Sequence, residues 1–499
     1  MTQEHSLPAA DKPFKLNYKR TMLIGFAFFG ILLLWQVYDS WCPTFLTELF
    51  RGAIYPNYDT LAPAAQEAAT RQVQYLVGIM MAIDNIAALI MLPIFGKLSD
   101  KTHTRWGKRM PYIFVGTIVT AIAFPFIPVL FHYTQLGGVI ALMAVVVFFA
   151  MMYRNPAVAL MPDITPKPLR SKANGIINIM GYLGGACATV VGIFFSLTQY
   201  LGTEIDAAAS KAAGHAVYKA HTWAFGNIWA IEAPFLIASV LMVASAVVLF
   251  ITIRENKLAE ELRPELERGE KAAETVDKVD DDKPMTKANL RMLIFILAAE
   301  FFWFMADNGI STFMTNYTVY FLGAPFASMM INTIIFGVGS VAGFAVGGII
   351  AGKIGRKWTI FGGLGITLLG YTIWAILTFA TGIQYSGSLP WWLYIIWFLK
   401  GLGMSLVHVN SFPMVVELCS SKKIGAFTGY YYASSMAAQT VTPILVGLLL
   451  LNPNIGWEYL PFYGIICIAI ALVLFFFVQN VKTHKTELKS GLEGIGADD

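Results

Sequence analysis

The sequence predicts an all-α membrane protein: twelve transmembrane helices in two pseudo-symmetric six-helix bundles. Three observations lead there. The 499-residue chain is 57% hydrophobic and only 13% charged, with a mean hydropathy of +0.61, whereas soluble chains carry roughly 25% charge. Its apolar residues fall into twelve runs of about 20 residues, the length a helix needs to cross a bilayer. The chain also repeats itself: Trp35, Asp39 and Thr44-Phe45 recur about 270 residues later as Trp303, Asp307 and Thr312-Phe313 in the same spacing.

A polar tail, 1–20, precedes the first run, which is too long for a removable signal peptide and lacks a small-residue cleavage site, so that helix is expected to stay in the mature protein. The N-terminal bundle, 21–253, holds spans at 21–49, 73–98, 110–132, 136–160, 173–201 and 226–253. The segment 254–288, with its charged run Asp277 to Lys283, is nearly free of large apolar residues and reads as a cytoplasmic linker. Its early part, Lys257 to Lys271, is expected to extend the sixth span as an exposed helix. The C-terminal bundle, 289–480, holds spans at 289–322, 327–351, 358–382, 390–416, 425–450 and 460–480, and 481–499 is a second tail. Gly181, Gly184 and Gly185, and the stretch Gly337 to Gly348, read as close-packing helix faces.

Lys and Arg in short loops stay on the cytoplasmic side. They cluster in the N-terminal tail (Lys12, Lys15, Lys19, Arg20), after the second span (Lys97, Lys101, Arg105, Lys108, Arg109) and after the fourth (Lys167, Arg170, Lys172). Lys353, Arg356, Lys357, Lys422, Lys423, Lys482 and Lys485 follow later even-numbered spans, while the opposite loops hold only Arg51, Arg71, Lys211 and Lys219. Both termini are therefore expected in the cytoplasm. The net charge of +4 is dispersed and argues for no nucleic-acid partner. Cys42, Cys187, Cys419 and Cys467 lie apart with no CxxC spacing, which argues against a disulfide framework or a metal site.

A carboxylate in hydrocarbon costs several kcal/mol, so it marks a group facing protein or a watery cavity. Asp39, Asp84, Arg154, Glu232, Glu300, Asp307, Lys400 and His408 are such groups, with Glu232 and Glu300 expected near helix ends. The match of Asp39 to Asp307 places a site between duplicated halves. A second repeat follows spans 2 and 8: Gly96-Lys97-Leu98-Ser99-Asp100 with Arg105-Trp106-Gly107-Lys108-Arg109, and Gly352-Lys353-Ile354-Gly355-Arg356-Lys357. Glycines let helix ends approach, and acidic and basic side chains there can pair and latch one conformation. No Walker loop, nucleophile elbow or HExxH occurs, which argues against an ATP-driven pump or a hydrolase and for no cofactor.

Twelve spans with a GxLxD-like turn after the second resemble the major facilitator superfamily. Within it, Ser99-Asp100 followed by Arg105 to Pro111, and Arg154-Asn155-Pro156 with Ala159-Leu160 and Asp163, resemble the glycoside, pentoside and hexuronide cation symporters and the related sucrose carriers. Asp307 is similar to the seventh-helix Asp of that group. The resemblance implies a cavity lined by helices 1, 4, 7 and 10, which carry Asp39, Arg154, Asp307 and Lys400, so that two acids face two bases. Carboxylates accept sugar hydroxyls and cations donate to sugar oxygens, with Trp35, Tyr38, Trp303, Tyr317 and Trp397 available to stack on the sugar. The substrate-binding candidates are thus Asp39, Asp307, Arg154, Lys400, Trp35, Trp303, Tyr38 and Asn308. Asp307, Asp39 and Asp84 are candidates for proton coupling, and Asp100, Arg105, Lys108, Arg109 and Asp163 for gating. Two departures matter: the second span offers Asp84 alone, with Ala88 a turn later, where melibiose-type permeases place two acids for sodium. Met143 to Met152 also lacks the acid that plant sucrose carriers place there.

The expectation is a monomeric secondary active symporter of a bacterial inner membrane, importing a disaccharide, maltose or sucrose, with protons by alternating access. The alternatives are a sodium-coupled glycoside or hexuronide symporter and a transporter-like sugar sensor. An enzyme would need a cluster of nucleophile, base or metal ligands, which the sequence does not suggest.

Overall fold

The computed structural model describes residues 14–195, 197–219, 227–277, 287–416, 418 and 424–478. Twelve of its helices are long and apolar enough to cross a membrane. In the first half they are α1 (Tyr18–Ile54), α2 (Gln74–Lys101), α3 (Met110–His132), α4 (Leu136–Asp163), α5 (Arg170–Phe194) and α6 (Trp229–Thr252). In the second they are α7 (Lys287–Asn316), α8 (Phe326–Ile354), α9 (Arg356–Thr381), α10 (Trp391–Val416), α11 (Ile424–Leu451) and α12 (Leu460–Phe476). Local chemistry sets the ends. Asn17 caps α1 by accepting from the Arg20 amide, supplying one of the acceptors a helix start lacks. The fifth span ends earlier than its hydropathy suggests, because Phe195 is extended and Leu197–Leu201 starts a separate short helix. The outer loop before α2 contains a further helix, Pro63–Gln72, and α7 runs on through a π-helical turn, Tyr317–Phe321.

Within the first half α1 packs on α5 and α6; within the second, α7 packs on α11 and α12. The halves meet where α2 lies against α11 and α5 against α8. Glycine makes the first of these contacts possible: a Cβ at Gly78 would strike the Pro443 carbonyl, and one at Gly447 would strike the backbone of Gln74 and Tyr75. The two helices thus touch backbone to backbone. The close-packing faces expected elsewhere are real at Gly184, against the Phe29 carbonyl, and at Gly339 and Gly343, against α10.

A polar seam joins the halves at the end away from the chain termini. Asn316 at the end of α7 accepts from the Thr44 hydroxyl (3.0 Å) and donates to Thr47 (3.0 Å) and Gln74 (2.9 Å), all of them buried. Tyr320 donates to Glu48 (2.6 Å), which is ion-paired with the buried Arg51. Further out, Tyr385 and Gln384 donate to Glu67, and Arg71 donates to the carbonyls of Pro453 and Ile455. Burial, and then the neighbouring Glu67 charge, push the Tyr385 hydroxyl well above its ordinary titration range, so it remains a donor.

The linker differs from the expected solvated extension of α6. α6 stops because Ile253 turns extended, and a new helix, Glu255–Asp277, begins with its own anchor. The buried Glu255 carboxylate accepts from the backbone amides of Lys108, Arg109 and Met110 at 3.0–3.2 Å, capping the start of α3 from another segment. Asn256 adds a bond to the Thr104 carbonyl (2.9 Å). The rest of the charged run after Asp277 lies outside the described residues, as do Cys419, Lys422, Lys423, Lys482, Lys485 and most of both tails. Glu255→Ala strips three helix-start amides of their acceptor, at a cost of about 1–2 kcal/mol. The linker helix of this variant should therefore be cleaved faster by protease in the detergent-purified protein; an unchanged cleavage rate would show that the cap is not what holds it.

Candidate functional site

A cavity of about 330 Å³ lies between the halves. Helical periodicity explains its lining, because residues three and four apart share a face. α1 gives Trp35 and Asp39; α2 gives Met81, Asp84, Asn85 and Ala88; α4 gives Met151 and Arg154. α7 gives Asn308, Ser311 and Thr312, and α11 gives Gln439 and Pro443. Asn85 bridges the halves by donating to the Gln439 carbonyl (3.3 Å).

The charges sit as two pairs, each within its own half. Asp39 is exposed to the cavity and interacts electrostatically with Arg154. Asp84, largely buried, lies close to both Asp39 and the Tyr38 hydroxyl. On the other side Lys400 Nζ lies 2.7 Å from Asp307 Oδ1 and donates to Ser311 Oγ at 2.7 Å. Lys400 is only 2% exposed and lies near the faces of Phe336 and Trp397. A buried ammonium needs such an anion and ring faces to offset its lost hydration.

The placement differs from the expected one in several respects. Lys400 does not line the cavity: it pairs with the partly exposed Asp307 and donates to Ser311, which does line it. The two acids therefore do not face two bases across the space; each acid meets the base of its own half. Trp303 is fully buried and turned toward Phe475 of α12, so it is not a wall residue. Tyr38 is 1% exposed, edge-on to Trp35 at 5.5 Å, and Tyr317 and Trp397 both pack on Trp374. Of the aromatic candidates, Trp35 alone lines the cavity. Asn308 lines it as expected from the sequence, and Glu300 lies well inside α7, buried, rather than near its end.

The gating candidates form a cluster inside the first half. Arg109 pairs with Asp100 and with Asp163 (2.9 Å), and also donates to Ser99; Lys108 pairs with Asp163 (3.1 Å). The cluster ties α2, α3 and α4 together rather than joining one half to the other. Arg105 stands over the Trp106 ring instead. Sequence reasoning passed over Ser311, Gln439 and the Asn316 seam. Ser311 follows Asp307 by one helical turn, a spacing that places both on one face and could have drawn notice.

Twelve spanning helices in two packed halves, with a charged polar cavity between them, define a multi-pass membrane protein with the architecture of a transporter. The sequence profile of the Major Facilitator Superfamily matches residues 41–380 and 296–495, and the chain belongs to that superfamily. Over 56 residues the chain is 39% identical to the lactose permease of Lactobacillus helveticus, which is 11% of this chain and 9% of that one. Over 173 residues it is 24% identical to the cis,cis-muconate transport protein of Acinetobacter baylyi, 35% of this chain and 40% of that one. The chain thus matches well under two thirds of the length of either relative. Its fold is similar to the partially occluded inward-open form of the xylose transporter XylE from E. coli, with a TM-score of 0.58 and 16% identity over 94% of this chain and 100% of that one.

Proposed function

We propose that the chain is a secondary active symporter that imports a disaccharide, maltose or sucrose, together with protons by alternating access. The observation that carries this reading is the composition of the cavity. Asp39, Asn85, Asn308, Ser311 and Gln439 offer acceptors and donors for hydroxyls around one flat ring, Trp35. Its volume falls in the range of about 300–1,000 Å³ of small-molecule sites. Asp39 and Asp307, each beside a cation, are carboxylates whose hold on a proton depends on that pairing. Asp84, beside Asp39, is a further proton carrier in this reading. The Asp100, Lys108, Arg109 and Asp163 cluster stiffens the first half as it rocks.

In this reading the chain is a monomer of a bacterial inner membrane with the end carrying the termini in the cytoplasm, an orientation that the basic loops support. With that orientation, the sealed opposite end makes this form inward-facing. A second reading, a sodium-coupled carrier of an acidic sugar, draws on Arg154 at the wall, whose guanidinium suits a carboxylate. One experiment separates them: uptake of labelled maltose, sucrose and a glucuronide into proteoliposomes under an imposed pH or sodium gradient. Maltose or sucrose accumulation driven by an inside-alkaline gradient supports the first reading. Sodium-driven glucuronide uptake overturns it in favour of the second.

A further inference from the structure

Ser311 joins the cavity to the buried Lys400. It is exposed, it lines the cavity, and its oxygen accepts from Lys400 Nζ at 2.7 Å. The same Nζ is held 2.7 Å from Asp307. Lys400 itself is buried and lines no part of the cavity, while Asp307 beside it is partly exposed. We propose that Ser311 is the positioning residue through which a sugar in the cavity reaches the Lys400–Asp307 ion pair.

A hydroxyl has one proton and two lone pairs. Lys400 takes up one lone pair, leaving the O–H and the other lone pair for the cavity. An ammonium donating to the oxygen polarises the O–H, so a sugar oxygen that accepts from Ser311 is held more tightly while Lys400 leans on it. When a proton from water neutralises Asp307, Lys400 loses its anion and its remaining strong acceptor is Ser311. Protonation at Asp307 therefore strengthens sugar binding at Ser311. By linkage, bound sugar raises the proton affinity of Asp307 by the same factor. The sign is fixed: sugar affinity falls as pH rises and Asp307 gives up its proton. This inference rests on the reading of the chain as a proton-coupled sugar symporter and names the residue that does the coupling.

Other groups face the pair. Tyr371 of α9 senses the Asp307 charge, and Tyr463 and Cys467 lie on α12, packed against α7. Tyrosine and cysteine ordinarily titrate above pH 8. Across the cavity stand Asp39, Asp84 and Arg154, and Glu300 and His408 lie further along α7 and α10. A change at position 311 leaves all of these in place, so comparing variants at this position isolates the Asp307 contribution.

The test is maltose affinity as a function of pH in proteoliposomes, by equilibrium exchange, for wild type, Ser311→Ala and Ser311→Thr. In the wild type affinity should be about tenfold higher at the acidic end of the profile than at the alkaline end, within the range of typical coupling between sites. In Ser311→Ala affinity is weaker at the acidic end and changes less than about twofold along the profile, because the link is gone. Ser311→Thr, which keeps the hydroxyl, restores the slope. If Ser311→Ala does not assemble, Ser311→Cys, close in volume but a weak acceptor, serves in its place. A flattened slope restored by Thr supports the proposal; a wild-type slope in the Ala or Cys variant overturns it. If the wild type shows no pH-driven maltose accumulation, the functional reading fails and this inference falls with it, an outcome distinct from failure at Ser311 alone.

Discussion

Asp307→Asn should abolish gradient-driven sugar accumulation and at the same time destabilise the protein. The two effects have different origins and can be separated. Asp307 lies 2.7 Å from Lys400, which is only 2% exposed. Removing the anion strands a buried ammonium, and breaking one side of a buried pair typically costs about 3–5 kcal/mol. The double variant Asp307→Asn with Lys400→Met removes both charges, so its thermal stability in detergent should return most of the way to wild type. Accumulation should not return, because no carboxylate remains there to carry the proton. Retained concentrative uptake in Asp307→Asn vesicles would take Asp307 out of the proton path. A double variant as unstable as the single one would show that the stranded charge is not the cause.

Asn316→Ala should open the sealed end. The amide oxygen accepts from Thr44 and the amide nitrogen donates to Thr47 and Gln74, all of them buried. Alanine leaves the Thr44 hydroxyl and the Gln74 oxygen without those partners. A buried polar group left unmet costs about 1–3 kcal/mol. About 2 kcal/mol lost from this state alone shifts the balance of the two states by about 30-fold. A cysteine introduced at Thr312 on the cavity wall, with the native cysteines replaced, then reports the change. Its labelling by a membrane-impermeant thiol reagent from the non-cytoplasmic side should accelerate; an unchanged rate would mean the seam does not set the balance.

The number and placement of the helices were readable from hydropathy, because a bilayer imposes one length and one solvent on every span. Asp39, Asp84 and Arg154, which stand out in the sequence because charge at that depth is costly wherever it appears, line the cavity. What could not be read was the rotation of each helix. Trp35 and Asp39 line the cavity, whereas of their repeats Trp303 is fully buried and Asp307 is only partly exposed and paired with Lys400. The neighbours differ: α10 offers Lys400, out of register with Arg154 on α4, and α12 offers Phe475 to Trp303. α7 therefore presents Asn308, Ser311 and Thr312 instead. A duplicated sequence fixes the same residues on both helices but not the surroundings that decide which way they turn. The Asn316 seam was hidden for a related reason: single Thr, Gln and Asn residues in apolar runs carry no pattern until three helices bring them together. The linker looked solvated because its charges dominate its composition, and only the fold reveals that one of them, Glu255, is an anchor.

Glu48 and Asn316 each follow the repeated Asp by nine residues, on α1 and α7 respectively. At about 1.5 Å per residue, that puts each about 13 Å along a continuous helix from its carboxylate. Such a rod is a lever. A tilt of about 10° pivoting at the Asp carries the far residue sideways by about 2 Å, more than a hydrogen bond of 2.9–3.0 Å tolerates. A rearrangement too small to repack the bundle at the charges is thus amplified into rupture at the seam, and chemistry in mid-membrane gains leverage over a door it never touches.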